Sequence, residues 1–313
     1  MSARHVVTGA GPVGWTVAEQ LAAEGNNVLV VTRSGSGPDH PLVERVKADV
    51  SQPNQLDALF DGAAAVYHCI HASKYDAKVW RAELPAAEQA VMGAAGRAGA
   101  VVVFPESLYS YCPRDGGTAS GVMYEDSPRT ASTGKLGIRT ELLRARETSR
   151  TPAVSVVASD FFGPQVLNAH MGERVVPNVL AGKKIRVIAN ADMPHSFTYV
   201  PDLARAMIAA AQDSGVWNSI LHAPTGSALT QREMITVYAK AAGVPAPEVG
   251  AIPAWALKAT GVFSSDAREL AEMTYQFAAP FVMDSTKSEQ RLGFGPTPLA
   301  TAAADTIAWW RSR

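Results

Sequence analysis

A glycine-rich turn near the start of the chain constrains its fold more than any other feature. Residues 8–14 read Thr-Gly-Ala-Gly-Pro-Val-Gly, so a G-x-G-x-x-G pattern directly follows the β-rich run His5–Thr8 and opens a predicted helix. In this setting the first glycine permits a tight bend, the second lets the backbone approach a pyrophosphate, and the third allows close packing of helix on strand. The free amides and the helix dipole then face an anion. We expect the phosphates of a dinucleotide to contact Gly9, Gly11, Pro12, Val13 and Gly14.

The residues after the second and third predicted strands bear on which dinucleotide is bound. A site for NAD usually has Asp or Glu at the end of the second strand, where the carboxylate holds the ribose hydroxyls. This chain has Arg33 and Ser34 there. Arg33 can pair with a 2′-phosphate and Ser34 can donate to it, so the sequence favours NADP(H) over NAD(H), although a solvated loop arginine is the alternative. Asp49 and Val50 are expected at the adenine ring, but a turn or capping role also suits Asp49.

Short apolar runs alternate with helical stretches along the chain. The runs that predict strands are His5–Thr8, Asn27–Thr32, Val43–Ala48, Ala64–Ile70, Val101–Phe104 and Ala153–Ala158. The segments that predict helices are Trp15–Glu24, Gln55–Phe60, Pro85–Arg97, Lys135–Thr148, Asp202–Gln212 and Gln231–Ala242. Nearly continuous apolar strands that alternate with helices are typical of a parallel sheet covered on both faces. The predicted fold class is therefore α/β, a doubly wound parallel sheet of the Rossmann type.

Beyond Phe162 the pattern loosens, and proline, glycine and asparagine become frequent. This change predicts a smaller, interleaved C-terminal part that packs on the sheet and binds the substrate. We expect an NADP-binding Rossmann domain over residues 1–164 and about 195–225. The substrate-binding part is expected over about 165–194 and 226–313.

Composition and charge exclude several classes of function. The 313 residues are 47% hydrophobic and carry a formal net charge of −1, so no overall field attracts nucleic acid or an anionic membrane. No uncharged apolar run approaches the roughly 20 residues that a membrane helix needs. The first residues run straight into a predicted strand and leave no room for a secretory signal. Only two cysteines, Cys69 and Cys112, are present, which fits a reducing compartment, and we expect a cytoplasmic protein.

Five further segments, in this order along the chain, carry a resemblance to a known family. They are Ala65–Ala72, Val102–Tyr111, Ser159–Pro164, His195–Ala204 and Asp284–Leu299. With them, the chain resembles an extended or atypical short-chain dehydrogenase/reductase of the NAD-dependent epimerase/dehydratase family. The resemblance implies that the fourth strand runs beneath the nicotinamide-side ribose. Cofactor contacts are therefore expected at Cys69, Ile70 and His71. Members of the family often form dimers through paired helices, so the resemblance suggests a homodimer but leaves the oligomeric state open.

The family's catalytic logic is a Tyr-x-x-x-Lys pair with an upstream serine. The lysine holds the nicotinamide ribose and lowers the pKa of the tyrosine, which exchanges a proton with the substrate oxygen. By this resemblance Ser107 takes the place of the serine and Lys135 that of the lysine, but Ala131 stands where the tyrosine is expected. Tyr109 then becomes the candidate proton donor, because ligands of such sheets bind outside the carboxyl ends of the strands. A surface position for Lys135 and simple packing for Tyr109 are the alternatives.

Other tyrosines and basic residues offer further candidates. Tyr111 and Tyr124 are weaker candidates for the proton donor than Tyr109. The basic residues Lys183, Lys184 and Arg186 suit either a diphosphate clamp or a solvated turn. Histidines, cysteines and carboxylates lack the spacing of metal ligands, so no metal site is predicted.

The sequence thus favours an NADP(H)-dependent oxidoreductase that acts on a small organic carbonyl or alcohol. Two alternatives stay open. One is epimerisation or dehydration of a nucleotide-linked sugar, which needs a clamp for the diphosphate. The other is a non-catalytic NADP(H)-binding sensor that has kept the cofactor site and lost the proton donor.

Overall fold

A seven-stranded parallel sheet forms the centre of the molecule. The structure is a computed structural model, and it describes residues 3–111, 121–256 and 274–313. The strands of the sheet are β1 Arg4–Thr8, β2 Asn27–Thr32, β3 Val43–Lys47, β4 Ala63–His68, β5 Val101–Ser107, β7 Ala153–Ala158 and β11 Ser219–His222. Their order across the sheet is β3-β2-β1-β4-β5-β7-β11, and every neighbouring pair is parallel. This order confirms the predicted doubly wound α/β fold.

Helices cover both faces of this sheet. They are α1 Pro12–Ala23, α2 Pro53–Phe60, α3 Ala77–Ala98, α4 Gly134–Glu147 and α6 Val200–Gln212. Helices α1 and α6 pack together on one face, and α2, α3 and α4 lie on the other. In β1, Val6 and Val7 are both fully buried but belong to the cores of opposite faces. Successive side chains of a strand point to opposite faces, which is why the strands are apolar throughout.

Shorter elements build the remainder. The strands are β6 Val122–Met123, β8 Asp160–Phe162, β9 Ile185–Ile188, β10 Phe197–Tyr199, β12 Val249–Ile252 and β13 Val282–Met283, which pair as β6/β13, β8/β10 and β9/β12. The helices are α5 Val176–Leu180, α7 Gln231–Ala242, α8 Tyr275–Ala278, α9 Thr286–Leu292 and α10 Leu299–Arg311, with 3-10 turns at Leu108–Tyr111 and Ser214–Val216. A third apolar core joins α5, α7 and α10. Over the described ranges, no helix is both long and apolar enough to cross a membrane.

Two of the differences from the sequence prediction concern helix α3 and strand β11. Helix α3 begins at Ala77 rather than at Pro85, because the Asp76 carboxylate caps it by accepting hydrogen bonds from the first-turn amides, and Pro85 lies inside the helix. Strand β11 was not predicted, since four residues carry little periodic signal and the strand is defined by its pairing with β7. The sheet takes its strands from residues 4–158 and 219–222, and the division into two functional parts stays a prediction.

Candidate functional site

The glycine turn lies at the carboxyl edge of the sheet, between β1 and α1. Gly9 has a φ of +91°, and a Cβ built on it lies 3.0 Å from the carbonyl oxygen of Cys69. A Cβ on Gly14 lies 2.0 Å from the carbonyl oxygen of Gly9. Both glycines are therefore required by contacts within the protein, because a side chain at either position collides with backbone.

Gly11 differs from its two neighbours in the turn. No atom of the described residues lies within 4 Å of a Cβ built on it, and it is the N-cap of α1, which continues with Pro12 and Val13. The first turn of a helix leaves amides without intrahelical partners, and these amides attract anions. The open space beside Gly11 fits the pyrophosphate of a dinucleotide, as the sequence predicts.

The residues predicted to contact the adenosine half cluster beyond β2 and β3. Arg33 and Ser34 are exposed, and the Ser34 hydroxyl lies 2.8 Å from that of Ser36. Asp49 is half-buried and accepts the Ser51 amide at 2.9 Å. This hydrogen bonding holds the pKa of Asp49 below its usual value, with a further contribution from the Arg33 charge. Asp49 thus takes the turn role that the sequence left open.

The end of β4 lies against the glycine turn. Ile70 joins Cys69 in packing on Gly9, and burial raises the pKa of the Cys69 thiol, which makes it a poor nucleophile. His68 is buried, with Nδ1 2.7 Å from the Thr8 hydroxyl, and burial lowers its pKa to about 4. Cys69 and Ile70 therefore support the glycine turn, and His68 is held by Thr8 next to it. Val50, also predicted at the cofactor, has its side chain in the core of the sheet, and Cys112 lies outside the described residues.

Lys135 occupies the first turn of α4 and is almost fully buried, so the surface alternative is wrong. Its ammonium nitrogen lies 3.9 Å from the centre of the Tyr75 ring. The Tyr75 hydroxyl in turn lies 2.6 Å from the Tyr109 hydroxyl. The structure thus brings Lys135 and Tyr109 together through Tyr75, a residue that the sequence analysis did not select.

An aromatic cluster holds these phenols in place. Trp80 is fully buried, contacts Tyr75 edge-on at 5.3 Å and lies nearly parallel to Tyr109 at 6.2 Å. His71 contacts the edge of the same indole at 4.7 Å. The indole nitrogen donates to the carbonyl oxygen of Lys74 at 3.2 Å, which fixes the loop that carries Tyr75. In the sequence, the only signal for this cluster was that His71, Tyr75 and Trp80 follow one another closely after β4.

Ser107, at the end of β5, is held by a buried carboxylate. The Ser107 amide and hydroxyl donate to Glu106 Oε1 at 2.8 and 3.3 Å, and Arg139 Nε lies 3.5 Å from the same oxygen. Arg146 donates to Glu106 at 2.9 Å and grips Glu88 with two bonds of 2.6 and 2.8 Å. Burial alone would raise the pKa of Glu88, but the Arg146 guanidinium outweighs it and holds that pKa below its usual value. The negative charges of the two carboxylates next to Ser107 are therefore compensated by the positive charges of Arg139 and Arg146.

The other tyrosine candidates lie elsewhere. Tyr111 is buried with its hydroxyl 3.0 Å from His222 Nε2, and burial raises its pKa to about 12. Tyr124 is an exposed residue beside β6. Ala131 is buried in a small apolar cluster with Leu108. Neither Tyr111 nor Tyr124 belongs to the cluster around Lys135.

A second pair of polar side chains, also missed from the sequence, joins β8 to the C-terminal part. His195 is fully buried, with Nε2 2.5 Å from the Asp160 carboxylate and Nδ1 3.2 Å from the carbonyl oxygen of Gln276. Both ring nitrogens therefore face oxygen acceptors, one a carboxylate and the other a backbone carbonyl. Burial opposes ionisation of Asp160, but the His195 hydrogen bond holds the pKa of that carboxyl below its usual value.

The basic residues considered for a diphosphate clamp lie at the start of β9. Lys183, Lys184 and Arg186 are exposed, and Lys184 Nζ lies 2.5 Å from a carboxylate oxygen of Glu248. Whether they bind a diphosphate or only solvent stays a prediction. In the part of the chain that the structure describes, no three His, Cys, Asp or Glu side chains converge as metal ligands.

Comparisons with known proteins agree with this architecture. A model of the NAD dependent epimerase/dehydratase family matches residues 5–219. A comparison with curated proteins finds no match.

Solved structures share the fold over almost the whole chain. The chain is similar to the Bordetella bronchiseptica enzyme WbmH in complex with NAD+, with 20% identity, 99% of both chains covered and a TM-score of 0.76. It is similar to MoeE5 in complex with UDP-glucuronic acid and NAD, with 23% identity, 99% of both chains covered and a TM-score of 0.74. It is also similar to the UDP-N-acetylglucosamine 4-epimerase from Bacillus cereus, with 18% identity, 100% of this chain and 98% of that chain covered, and a TM-score of 0.76. At these identities the likeness shows the fold.

Proposed function

The chain belongs to the NAD dependent epimerase/dehydratase family, and from this membership we propose that it is an oxidoreductase for a small organic alcohol or carbonyl compound. The observation that carries the proposal is the position of Lys135. Its ammonium is buried against the Tyr75 ring, and the Tyr75 hydroxyl is hydrogen-bonded to that of Tyr109, at the same sheet edge as the glycine turn. A buried lysine that contacts phenols at the carboxyl edge is the arrangement that proton exchange with a substrate oxygen needs.

The cofactor that this reaction needs fits the glycine turn. Protein atoms occupy the space where a side chain would lie at Gly9 and Gly14. The same space at Gly11 is open, and a pyrophosphate would fill it. When bound, the dinucleotide supplies the acceptor or donor of the hydride. We propose NADP(H) as the preferred form, because the exposed Arg33 and Ser34 stand where an NAD site usually has a carboxylate.

The chain's own residues have distinct roles in this proposal. Ser107 orients the substrate oxygen, and its long hydroxyl bond to Glu106 is readily exchanged for one to a ligand. Lys135 holds the nicotinamide ribose. Tyr109 exchanges the proton, because the methyl group of Ala131, in the position that the resemblance assigns to the tyrosine, has none to give.

Calorimetric titration with NADPH and NADH, on the wild-type protein and on Arg33→Ala, tests the cofactor proposal. We expect tight binding of NADPH that weakens at least tenfold in the variant, since one charge-assisted contact is worth about 1.5–3 kcal/mol. Arg45→Ala is the matched control, because Arg45 is an exposed arginine on β3 that pairs with Asp39. Equal affinity for both dinucleotides would contradict the Arg33 argument, and binding of neither would overturn the cofactor site itself.

A second candidate function is epimerisation or dehydration of a nucleotide-linked sugar. The similarity to MoeE5, whose structure contains UDP-glucuronic acid and NAD, favours this reading. Of the three residues considered for the diphosphate clamp, Lys184 is paired with Glu248 in this structure, which weakens its case as a phosphate ligand. The two reactions differ in how much dinucleotide they consume. An oxidoreductase converts one equivalent of dinucleotide per product, whereas an epimerase returns it unchanged. Absorbance of the reduced nicotinamide during turnover separates them.

A further inference from the structure

We propose that Tyr75 and Tyr109 form a two-phenol proton relay, in which Tyr109 exchanges a proton with the substrate oxygen and Tyr75 links Tyr109 to Lys135 and to solvent. The relay deepens the proposed function and rests on it. It supplies the acid–base chemistry that Ala131 lacks, with Tyr75 contributed by a loop 56 residues before Ala131.

The first support is the hydrogen bond between the two phenols. The hydroxyl oxygens of Tyr75 and Tyr109 are 2.6 Å apart, at the short end of the range for bonds between hydroxyl groups. Either hydroxyl can be the donor, which is what a relay that works in both directions of a reversible reaction requires. Trp80 contacts both rings and is fully buried, so the pair is held by rigid packing.

The second support is the position of the lysine charge. The Lys135 ammonium lies on the face of the Tyr75 ring, 3.9 Å from its centre. A cation at this distance attracts the ring and favours the ionised form of the phenol. The lysine therefore acts on Tyr75 directly, and on Tyr109 through the hydrogen bond between the two hydroxyls.

The third support is the difference in exposure between the two phenols. Tyr75 is 37% exposed, whereas Tyr109 is half-buried and packs in the cluster around Trp80. Tyr75 is therefore the member that meets water, and it is placed to return a proton to Tyr109 from solvent.

In carbonyl reduction a bound dinucleotide would supply the hydride to the carbonyl carbon. The Tyr109 O–H bond would break, and its proton would form the O–H bond of the product alcohol. Tyr109 then takes the hydroxyl proton of Tyr75 across the 2.6 Å bond. The phenolate left on Tyr75 is stabilised by the Lys135 ammonium and regains a proton from water. Alcohol oxidation runs the same steps in reverse.

Other charged and titratable groups surround the pair and bear on its pH dependence. From α4 these are Lys135 and Arg139, and from the loop and the start of α3 they are His71, Lys74, Asp76 and Lys78. Among the described residues, Glu83 and Glu106 add negative charge near His71, so the Lys135 ammonium on the Tyr75 ring is the contact that favours a phenolate at the relay.

The decisive variant is Tyr75→Phe, which keeps the ring on Lys135 and removes only the hydroxyl. Tyr124→Phe, which removes an exposed phenol outside the cluster, is the matched control. In cofactor-free protein, absorbance of tyrosinate is followed against pH. We expect one phenol of the wild type to ionise at lower pH than the rest, and this step to be lost in Tyr75→Phe and in Lys135→Met but kept in Tyr124→Phe.

The loaded enzyme gives the second readout. We expect Tyr75→Phe to bind the dinucleotide as the wild type does, to keep KM, and to lose about 10- to 100-fold in kcat, near the low end of what general acid–base catalysis contributes. Its pH profile should lose the step that the absorbance titration assigns to Tyr75. Wild-type kcat and pH profile in Tyr75→Phe would overturn the relay and leave the proposed function standing. Failure of the wild type to bind either dinucleotide would overturn the proposed function instead.

Discussion

The ammonium nitrogen of Lys135 lies 3.9 Å from the centre of the Tyr75 ring, although the two residues are 60 positions apart in the chain. Helix α4 delivers the lysine, and the loop after β4 delivers the tyrosine. Burial of a lysine is costly unless its charge is compensated. An aromatic face provides part of that compensation, which explains why a loop aromatic and a buried lysine occur together at this edge of the sheet.

The contrast between Gly11 and Gly14 gives the first prediction. Gly14→Ala should destabilise the protein by about 1–3 kcal/mol, because its Cβ meets the Gly9 carbonyl and the turn must shift. Gly11→Ala should leave the free energy of unfolding within about 0.5 kcal/mol of the wild type and yet weaken dinucleotide binding at least tenfold, since its methyl group fills the open space. Urea unfolding and calorimetry measure the two effects. Unchanged binding in Gly11→Ala would place the pyrophosphate elsewhere.

The buried charge network next to Ser107 gives the second prediction. Arg146→Met should lower the free energy of unfolding by about 3–5 kcal/mol, because it leaves the carboxylates of Glu88 and Glu106 buried without their main partner. Arg97→Met, which breaks an exposed pair with Asp57, is the control and should cost less than about 1 kcal/mol. Denaturant titration at neutral pH compares them. Equal losses in the two variants would mean that burial of the network carries no special cost.

Local signals account for the parts of the molecule that the sequence predicted. The glycine turn and the apolar strands are encoded within a few residues, so strands such as Asn27–Thr32 and Ala153–Ala158 were predicted to the residue. Lys135 was placed by its spacing from Ala131 and by the resemblance, and the structure adds that it is buried. These features need no knowledge of the tertiary structure.

The residues that the sequence did not reveal are joined only by folding. Tyr75 meets Tyr109 because β4 and β5 are neighbours in the sheet, and no spacing in the chain indicates that meeting. The same holds for Asp160 and His195, which meet through the pairing of β8 with β10. The proline at position 85 hid the true start of α3, since the cap at Asp76, nine residues earlier, determines where that helix begins.

His68 gives a prediction about pH. Burial lowers its pKa from 6.5 to about 4, so between these values the unfolded chain binds a proton that the folded protein does not. Stability that is present above pH 6.5 should therefore be lost as the pH falls towards 4, by roughly 3 kcal/mol at about 1.4 kcal/mol per pH unit. His68→Asn, which keeps an acceptor for Thr8, should flatten this slope in urea unfolding. Phe104→Leu, which alters the ring packed on His68, should lower stability but keep the slope. An unchanged slope in His68→Asn would assign the pH dependence to other groups.

The cap of α3 links stability to the proposed relay and gives the last prediction. The Asp76 carboxylate accepts the amides of Lys78 and Val79, directly after Tyr75, so it fixes both the helix start and the loop that carries the phenol. Asp76→Ala should lower Tm modestly and also lower kcat, because the freed loop no longer holds Tyr75 on Lys135. Thr230→Ala, which removes the capping box of α7, should lower Tm in the same way and leave kcat unchanged. Asp76→Asn, which can still accept the amides, should restore most of the lost kcat. If Asp76→Ala and Thr230→Ala have the same kcat, the cap contributes to folding alone.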